Sequence, residues 1–266
     1  IGRAGAKTTD ILAERTMDAA YEMPGAFFAV AADTYLNAQK NIIPGIVQGW
    51  NEKGWREGIH YVVDKRPPKW FKKPYKPVHN FKHTLTTFNG CFYKIVSMDR
   101  PSTGAGDSYQ HIFIDESKYI VKKKIDKLIP AIRGEFTRFG KSVLYRGLTC
   151  TTDMPNPFHG EHDWILDMEK RMDKAQIIKI LQVASVLNEI RIELINAVAE
   201  EQEESKINFL KKNIDRWEQR WQKIRKSSTF FYIASTFINA DVLTEGFFED
   251  SLESLGDEEF NVSVLS

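Results

Sequence analysis

The sequence predicts an α/β fold: a mostly parallel sheet flanked by helices, with an inserted helical hairpin. Two short, continuous apolar runs, "AFFAVAAD" (26–33) and "HIFID" (111–115), are the length of buried strands. Stretches of helical spacing lie between the strand-like runs, and strands alternating with helices build a parallel sheet with helices on its faces. Over 164–226 the character changes to two long amphipathic segments, and these are the hairpin.

The elements follow in order. Residues 8–22 place Ile11, Leu12, Arg15 and Ala19 at helical spacing and stop at Met23-Pro24-Gly25, so Lys7 stands at a helix amino terminus. Strand 26–33 leads into a helix over 34–54. Residues 83–88 and "CFYKIVSM" (91–98) are joined by Asn89-Gly90, which predicts a two-residue hairpin. After strand 111–115 comes a helix over 121–139, capped by Gly140, and then a strand "SVLYRGLTC" over 142–150. In the hairpin, Ile177, Ile180, Leu181, Ala184, Leu187, Ile190, Leu194 and Val198 are spaced as one helix face, with a break near 200–205. "TFFYIASTF" (229–237) reads as a return to the sheet, and "EEFNVSVLS" (258–266) as a last short strand. No internal repeat is visible.

With 42% hydrophobic residues in 266, the chain can bury a sizeable core. Lys plus Arg (37) balance Asp plus Glu (36), so only local clusters speak for or against nucleic acid. Cys91 and Cys150 stand apart in apolar surroundings, which fits reduced thiols and offers no zinc pattern. There is no apolar run of membrane length and no charged-then-apolar leader, so the expectation is a soluble, intracellular protein.

"IGRAGAKTT" resembles the end of a phosphate-binding loop. The full Walker A pattern needs glycines at positions 1 and 6, where Ile1 and Ala6 stand. Gly2, Ala4, Gly5 and Ala6 are nonetheless small enough for backbone N–H groups to approach phosphates. Lys7 can reach β and γ oxygens, and Thr8, followed by Thr9, can ligate Mg²⁺ at the helix start. An ordinary small-residue turn has the same composition. "HIFIDES" favours the first, because an apolar strand ending in Asp115 and Glu116 supplies one acid to order Mg²⁺ and one to activate water; a strand end with two solvated acids reads the same way. Downstream, Thr149, Cys150, Thr151 and Thr152 end the next strand and can sense a γ-phosphate; a turn rich in capping residues before Pro155 and Pro157 reads the same way.

Together "GRAGAKTT", "QHIFIDESKYI", "GLTCTTDMPNP…HDWIL" and "ASTFINADVLTEGFFEDSLESLGDEEFNVSVL" resemble the ATPase domain of tailed-phage terminase large subunits, the motors that package DNA. The resemblance covers most of the chain. It implies a P-loop NTPase of the RecA-like (ASCE) class over 1–266, with the helical insertion at about 164–226. It also implies ATP and Mg²⁺ as ligands, and hydrolysis that drives double-stranded DNA into a procapsid. Arg3 falls on the family's loop arginine, Asp115 and Glu116 on the Walker B acids, and 149–152 on the coupling motif. Thr236, Phe237, Asn239 and Leu243 fall on the segment that closes the domain.

The implied partners are DNA, the portal protein, the small terminase subunit and further copies in a ring. The implied location is the host bacterial cytoplasm, docked transiently at the portal, with no membrane. The family's nuclease domain, the strand before the loop and the adenine-binding segment fall outside these 266 residues, so no nuclease activity is expected of them. Ala6 departs from the usual glycine.

Two weaker candidates remain. Arg100 lies where ring motors place an arginine that reaches a neighbour's nucleotide, and a surface ion-pairing arginine fits as well. The tract 64–83 interleaves Lys65, Arg66, Lys69, Lys72, Lys73, Lys76 and Lys82 with Trp70, Phe71, Tyr75 and Phe81, as a DNA contact or as a solvated basic loop. The rival functions are a helicase-like or repair ATPase of the same fold, and a degenerate P-loop scaffold that does not hydrolyse nucleotide.

Overall fold

The computed structural model describes residues 6–100 and 106–265. Six strands form one sheet in the order β2-β3-β4-β1-β5-β6: β1 (Phe27–Ala32), β2 (Tyr61–Val63), β3 (Thr84–Thr87), β4 (Phe92–Ser97), β5 (His111–Ile114) and β6 (Gly147–Cys150). β4, β1, β5 and β6 run parallel, while β3 and β2 extend the sheet antiparallel. The mixed, mostly parallel sheet with flanking helices is the α/β architecture that the sequence predicts.

β1 is buried along its whole length, as a strand covered on both faces must be. Phe28, Val30 and Ala32 face a core built on Leu12, Ala20, Ile46 and Trp50. Phe27, Ala29 and Ala31 face a second core with Ile112, Ile114, Ile125, Leu128 and Trp164. On the first face, a π-turn (Lys7–Leu12) runs directly into α1 (Ala13–Glu22). Helical residues from Tyr35 run on into α2 (Ile43–Glu52). Gly45 and Gly49 let α2 lie against the start of the first helix. A Cβ at Gly45 would come within 2.8 Å of Thr8 Cγ2, and one at Gly49 would overlap the Thr9 carbonyl.

Several elements differ from the sequence reading. The 83–98 hairpin forms, but Thr87 N donates to Cys91 O, so Phe88, Asn89 and Gly90 make a three-residue loop in place of the expected two. Gly90 supplies the left-handed residue at φ +88°, the pattern of a turn followed by a bulge. The helix expected over 121–139 is broken: α3 covers only Lys122–Leu128, a 3₁₀ turn covers Ile129–Ala131, and Phe136–Phe139 is a separate turn. Pro130 cannot donate to the helix, Gly134 takes φ +96°, and Tyr109 draws the chain between them into a bridge with Ile132.

The strand expected over 142–150 starts only at Gly147, because its partner β5 is four residues long. The residues before it form turns, with Arg146 at positive φ. The expected strand over 229–237 is absent among the described residues. Phe230 and Tyr232 are exposed, and Thr236–Val242 is a 3₁₀ helix, so β-propensity there is overridden by its surroundings. The chain end is also helical, with α6 spanning Phe247–Phe260 across a kink at Gly256 and passing into a π-turn (Asn261–Leu265). Asp257 and Glu259 sit where a helix amino end favours acids, and the buried pair Phe260 and Val264 has helical spacing.

The chain divides into two compact units: one runs to Leu166 and resumes at Tyr232, and the other is residues 167–231. Trp164, taken from sequence as the start of the hairpin, is buried in the first unit and donates its indole N–H to Ile120 O at 2.7 Å. The second unit pairs α4 (Lys174–Ala199) with α5 (Glu204–Arg225). Leu187 and Ala197 are buried along α4, whereas Leu181 and Val198, assigned from sequence to the same face, are exposed. Among the described residues, no helix is long and apolar enough to cross a membrane.

Candidate functional site

The site lies at the carboxyl ends of β5 and β6, where ligands of open parallel sheets bind. Asp115 follows β5 directly and is buried. Its Oδ2 accepts from Thr8 Oγ1 at 2.5 Å. Its Oδ1 accepts from Thr151 Oγ1 at 2.8 Å and from the Glu116 amide at 3.0 Å. One carboxylate thus joins the helix start, the end of β6 and its own successor. Glu116 has a left-handed backbone (φ 50°, ψ 47°), a conformation that costs a non-glycine residue on the order of 1 kcal/mol and is concentrated at functional sites.

Lys7 Nζ lies 2.8 Å from Glu116 Oε1 and 2.9 Å from Asp153 Oδ1, with all three side chains mostly buried. Burial works against the lysine's charge, but the two carboxylates overcome it and hold its pKa above the ordinary lysine value. The glutamate gains no matching benefit. Burial pushes its pKa up, Lys7 pulls it down, and the charges of Asp153 and Asp115 push it up again, leaving it above the usual carboxylate value. Among the described residues, Glu116 Oε2 is buried without a hydrogen-bond partner, an open acceptor beside the lysine.

The lysine is presented by Ala6, which precedes the helix at φ 49°, ψ 26°. Ala6 therefore holds the left-handed backbone for which the glycine of the sequence pattern is suited. Thr9 hydrogen-bonds back to Ala6 O at 3.4 Å and takes no part in the Asp115 cluster. Gly2, Arg3 and Gly5 lie outside the described residues.

The hydroxyl run after β6 divides by position. Thr151 reaches Asp115, and Thr152 Oγ1 accepts from the Lys118 amide at 3.3 Å, bracing the turn after Glu116. Thr149 lies 2.8 Å from His111 Nε2, while His111 Nδ1 lies 2.7 Å from Leu144 O. Burial pushes the His111 pKa down to about 4, so the ring is neutral near pH 7 and the Thr149 hydroxyl is engaged inside the sheet layer. Cys150 packs against the second core, and burial pushes its thiol up to about 12.

Sequence reading missed Asp153, whose only local sign is an acid two residues beyond Thr151. It also missed the His111 and Thr149 pair, because both fall inside strands. Arg100 lies in the exposed turn after β4, closed by its amide to Ser97 O.

The basic tract is pinned to the sheet by the Lys72 amide to Phe88 O and the Tyr75 amide to Gly25 O. Phe71 is buried, Tyr75 packs edge-on against Phe27, and Phe81 packs against Phe92, so of its four aromatic side chains only Trp70 is strongly exposed. Lys76 lies over the Phe27 ring, 4.2 Å from its centroid, and Lys65 pairs with Glu57. Lys69, Lys72, Lys73 and Lys82 are exposed.

The Thr8 hydroxyl and the Asp115 carboxylate fit a magnesium nucleotide, since Mg²⁺ commonly takes one or two protein oxygens and completes its shell with water and substrate phosphates. Among the described residues, no group of three or more His, Cys, Asp or Glu forms a protein-only metal cage.

No protein-family profile matches the chain, and no curated protein matches it. Among solved structures, the large terminase of a thermophilic bacteriophage superposes with a TM-score of 0.52 at 12% identity, over 99% of this chain and 45% of that one. Other crystals of the same phage protein, including a complex with ADP, match at TM-score 0.40 and 15% identity over 59% of this chain and 33% of theirs. The ATPase domain of Thermus phage P74-26 large terminase matches at TM-score 0.38 and 11% identity, over 65% of this chain and 63% of that one. The chain spans less than half the length of the first of these terminases, and it is similar to phage large terminases in fold.

Proposed function

We propose that this chain is the P-loop ATPase domain of a phage DNA-packaging motor, in which hydrolysis of ATP with Mg²⁺ drives translocation of double-stranded DNA. One observation carries the reading: Lys7 and Thr8, at the start of the first helix, meet Glu116 and Asp115 at the end of β5, from about a hundred residues away in sequence.

Each side chain has a distinct task. Lys7 and the amides around it hold the β- and γ-phosphates. Thr8 and Asp115 hold Mg²⁺, which when bound neutralises charge on the phosphate oxygens. Glu116 accepts the proton of the attacking water, and Oε2, which has no partner among the described residues, is the acceptor for that role. Arg3 offsets charge on the transferred phosphoryl group, and Arg100 reaches a neighbouring subunit in a ring. Thr151 passes a change at the phosphates into the segment after β6, a role that its hydrogen bond to Asp115 supports. Exposed lysines of the 64–83 tract face the DNA backbone, and the portal and small terminase subunit are the docking partners.

Steady-state ATP hydrolysis by the protein and by Glu116→Gln tests this. Turnover lost in Glu116→Gln with ATP binding retained is the expected result; equal turnover would remove Glu116 from its role. The Lys7 ion pairs and the alanine in the glycine's place favour one rival, a P-loop that binds partners without hydrolysis. Absence of nucleotide binding in the wild type would favour that rival.

A further inference from the structure

We infer that Asp153 is a built-in competitor of the nucleotide: a fixed counter-ion that occupies Lys7 until phosphates displace it, and so sets nucleotide affinity. The inference rests on the nucleotide-site reading and adds to it a residue with no part in the chemistry.

Lys7 is shared between two acids, and only one has a task once nucleotide is bound. When Lys7 turns to phosphate, Glu116 is released to face water, as its role requires. Asp153 gains nothing by release. It is left buried, beside Glu116 and Asp115, as one of three carboxylates around a site that must receive a polyanion.

Asp153 also cannot follow the lysine. On its amino side, Thr151 N donates to Ile114 O at 2.9 Å and Thr152 Oγ1 accepts from the Lys118 amide. On its carboxyl side, the Asn156 amide donates to Glu161 Oε2 at 2.7 Å. Glu161 in turn pairs with the buried Lys118 at 2.8 Å, and the His162 amide donates to Lys118 O. The segment is tied at both ends to the turn after Glu116, so the Lys7 to Asp153 contact must break when the lysine moves. The phosphates therefore bind against a buried ion pair and against the negative charge it leaves behind.

The test is calorimetric titration of the protein, Asp153→Asn and Asp153→Glu with ATP, ADP and adenosine. Asparagine keeps the shape of aspartate and removes its charge, so ATP and ADP should bind about tenfold more tightly, the size expected for a like charge removed at this range. Adenosine should bind as in the wild type, and Asp153→Glu should stay near the wild-type affinity. Asp153→Ser, which also lacks the charge, repeats the measurement should the asparagine variant not fold. Equal or weaker ATP binding by a folded, neutral variant would overturn the competitor role and make Asp153 a positioning group for the nucleotide. A gain shared equally by adenosine would overturn it too. A wild-type protein that binds no nucleotide is a different failure, that of the nucleotide site itself, and Asp153 would fall with it.

Discussion

Two charge triads in this molecule are mirror images. At the carboxyl end of the sheet one lysine, Lys7, lies between Glu116 and Asp153. Before β5 one carboxylate, Asp107, lies between Lys94 at 2.6 Å and Lys76 at 3.8 Å. The surroundings differ as well as the second contact of each triad: the Lys7 side chain is 14% exposed, and that of Asp107 is 32% exposed. Around Asp107, burial raises the carboxyl pKa, but the hydrogen bond and charge of Lys94 overcome it, and the pKa falls below its ordinary value. Around Lys7, desolvation also lifts the pKa of the facing glutamate. An ion pair near water adjusts its charges to their partners, whereas a buried one retains an unbalanced charge that a ligand can exploit.

The largest effect that would sharpen this contrast is on turnover. Lys7→Ala is expected to lower kcat by at least about a hundredfold, since it removes the group proposed to meet the phosphates. The pH profile separates the triads next. Because the Glu116 pKa is raised and its proposed role requires it ionised, the acidic limb of the free enzyme's kcat/KM profile should lie above the ordinary glutamate value of 4.5. A limb at or below that value would break the comparison.

Thr151→Val removes a donor from a buried carboxylate and should cost about 1–3 kcal/mol in denaturant unfolding, with ATP turnover falling alongside. Ala6→Gly relieves a left-handed alanine and should raise stability by about 1 kcal/mol. The smallest change is expected from Asp107→Asn, about 1 kcal/mol or less and shrinking further in high salt. Asp107 is a carboxylate with a depressed folded pKa. Its small contribution is therefore complete above its ordinary value of 3.8 and is lost as pH falls below that.

What the sequence made legible was periodic or adjacent. β1 and β5 could be read because four to six apolar residues in a row are too few for a buried helix, and Asp115-Glu116 because they end such a run. The hairpin was visible through Asn89-Gly90, although the three-residue loop depends on where Cys91 pairs. The helix over 121–139 failed because a pairing between Tyr109 and Ile132, remote in sequence, outweighs local helical spacing. The chain end failed for the opposite reason, since "NVSVL" has the residues of a strand, yet its Val264 is buried one helical turn after Phe260. Within the site, Lys7, Thr8, Asp115 and Glu116 were accessible through motif order. Asp153 was not, because its partner is 146 residues away and nothing beside it marks the contact.

The glycine pair on α2 has a reach beyond packing. With Thr8 seated against Gly45 and the Thr9 carbonyl against Gly49, the lysine's position is set by the tilt of a helix that contributes no group to the chemistry. A screen for altered nucleotide affinity should therefore recover substitutions at Gly45 and Gly49 together with those at the acids, and a partner that grips the outer face of α2 would hold a handle on the site.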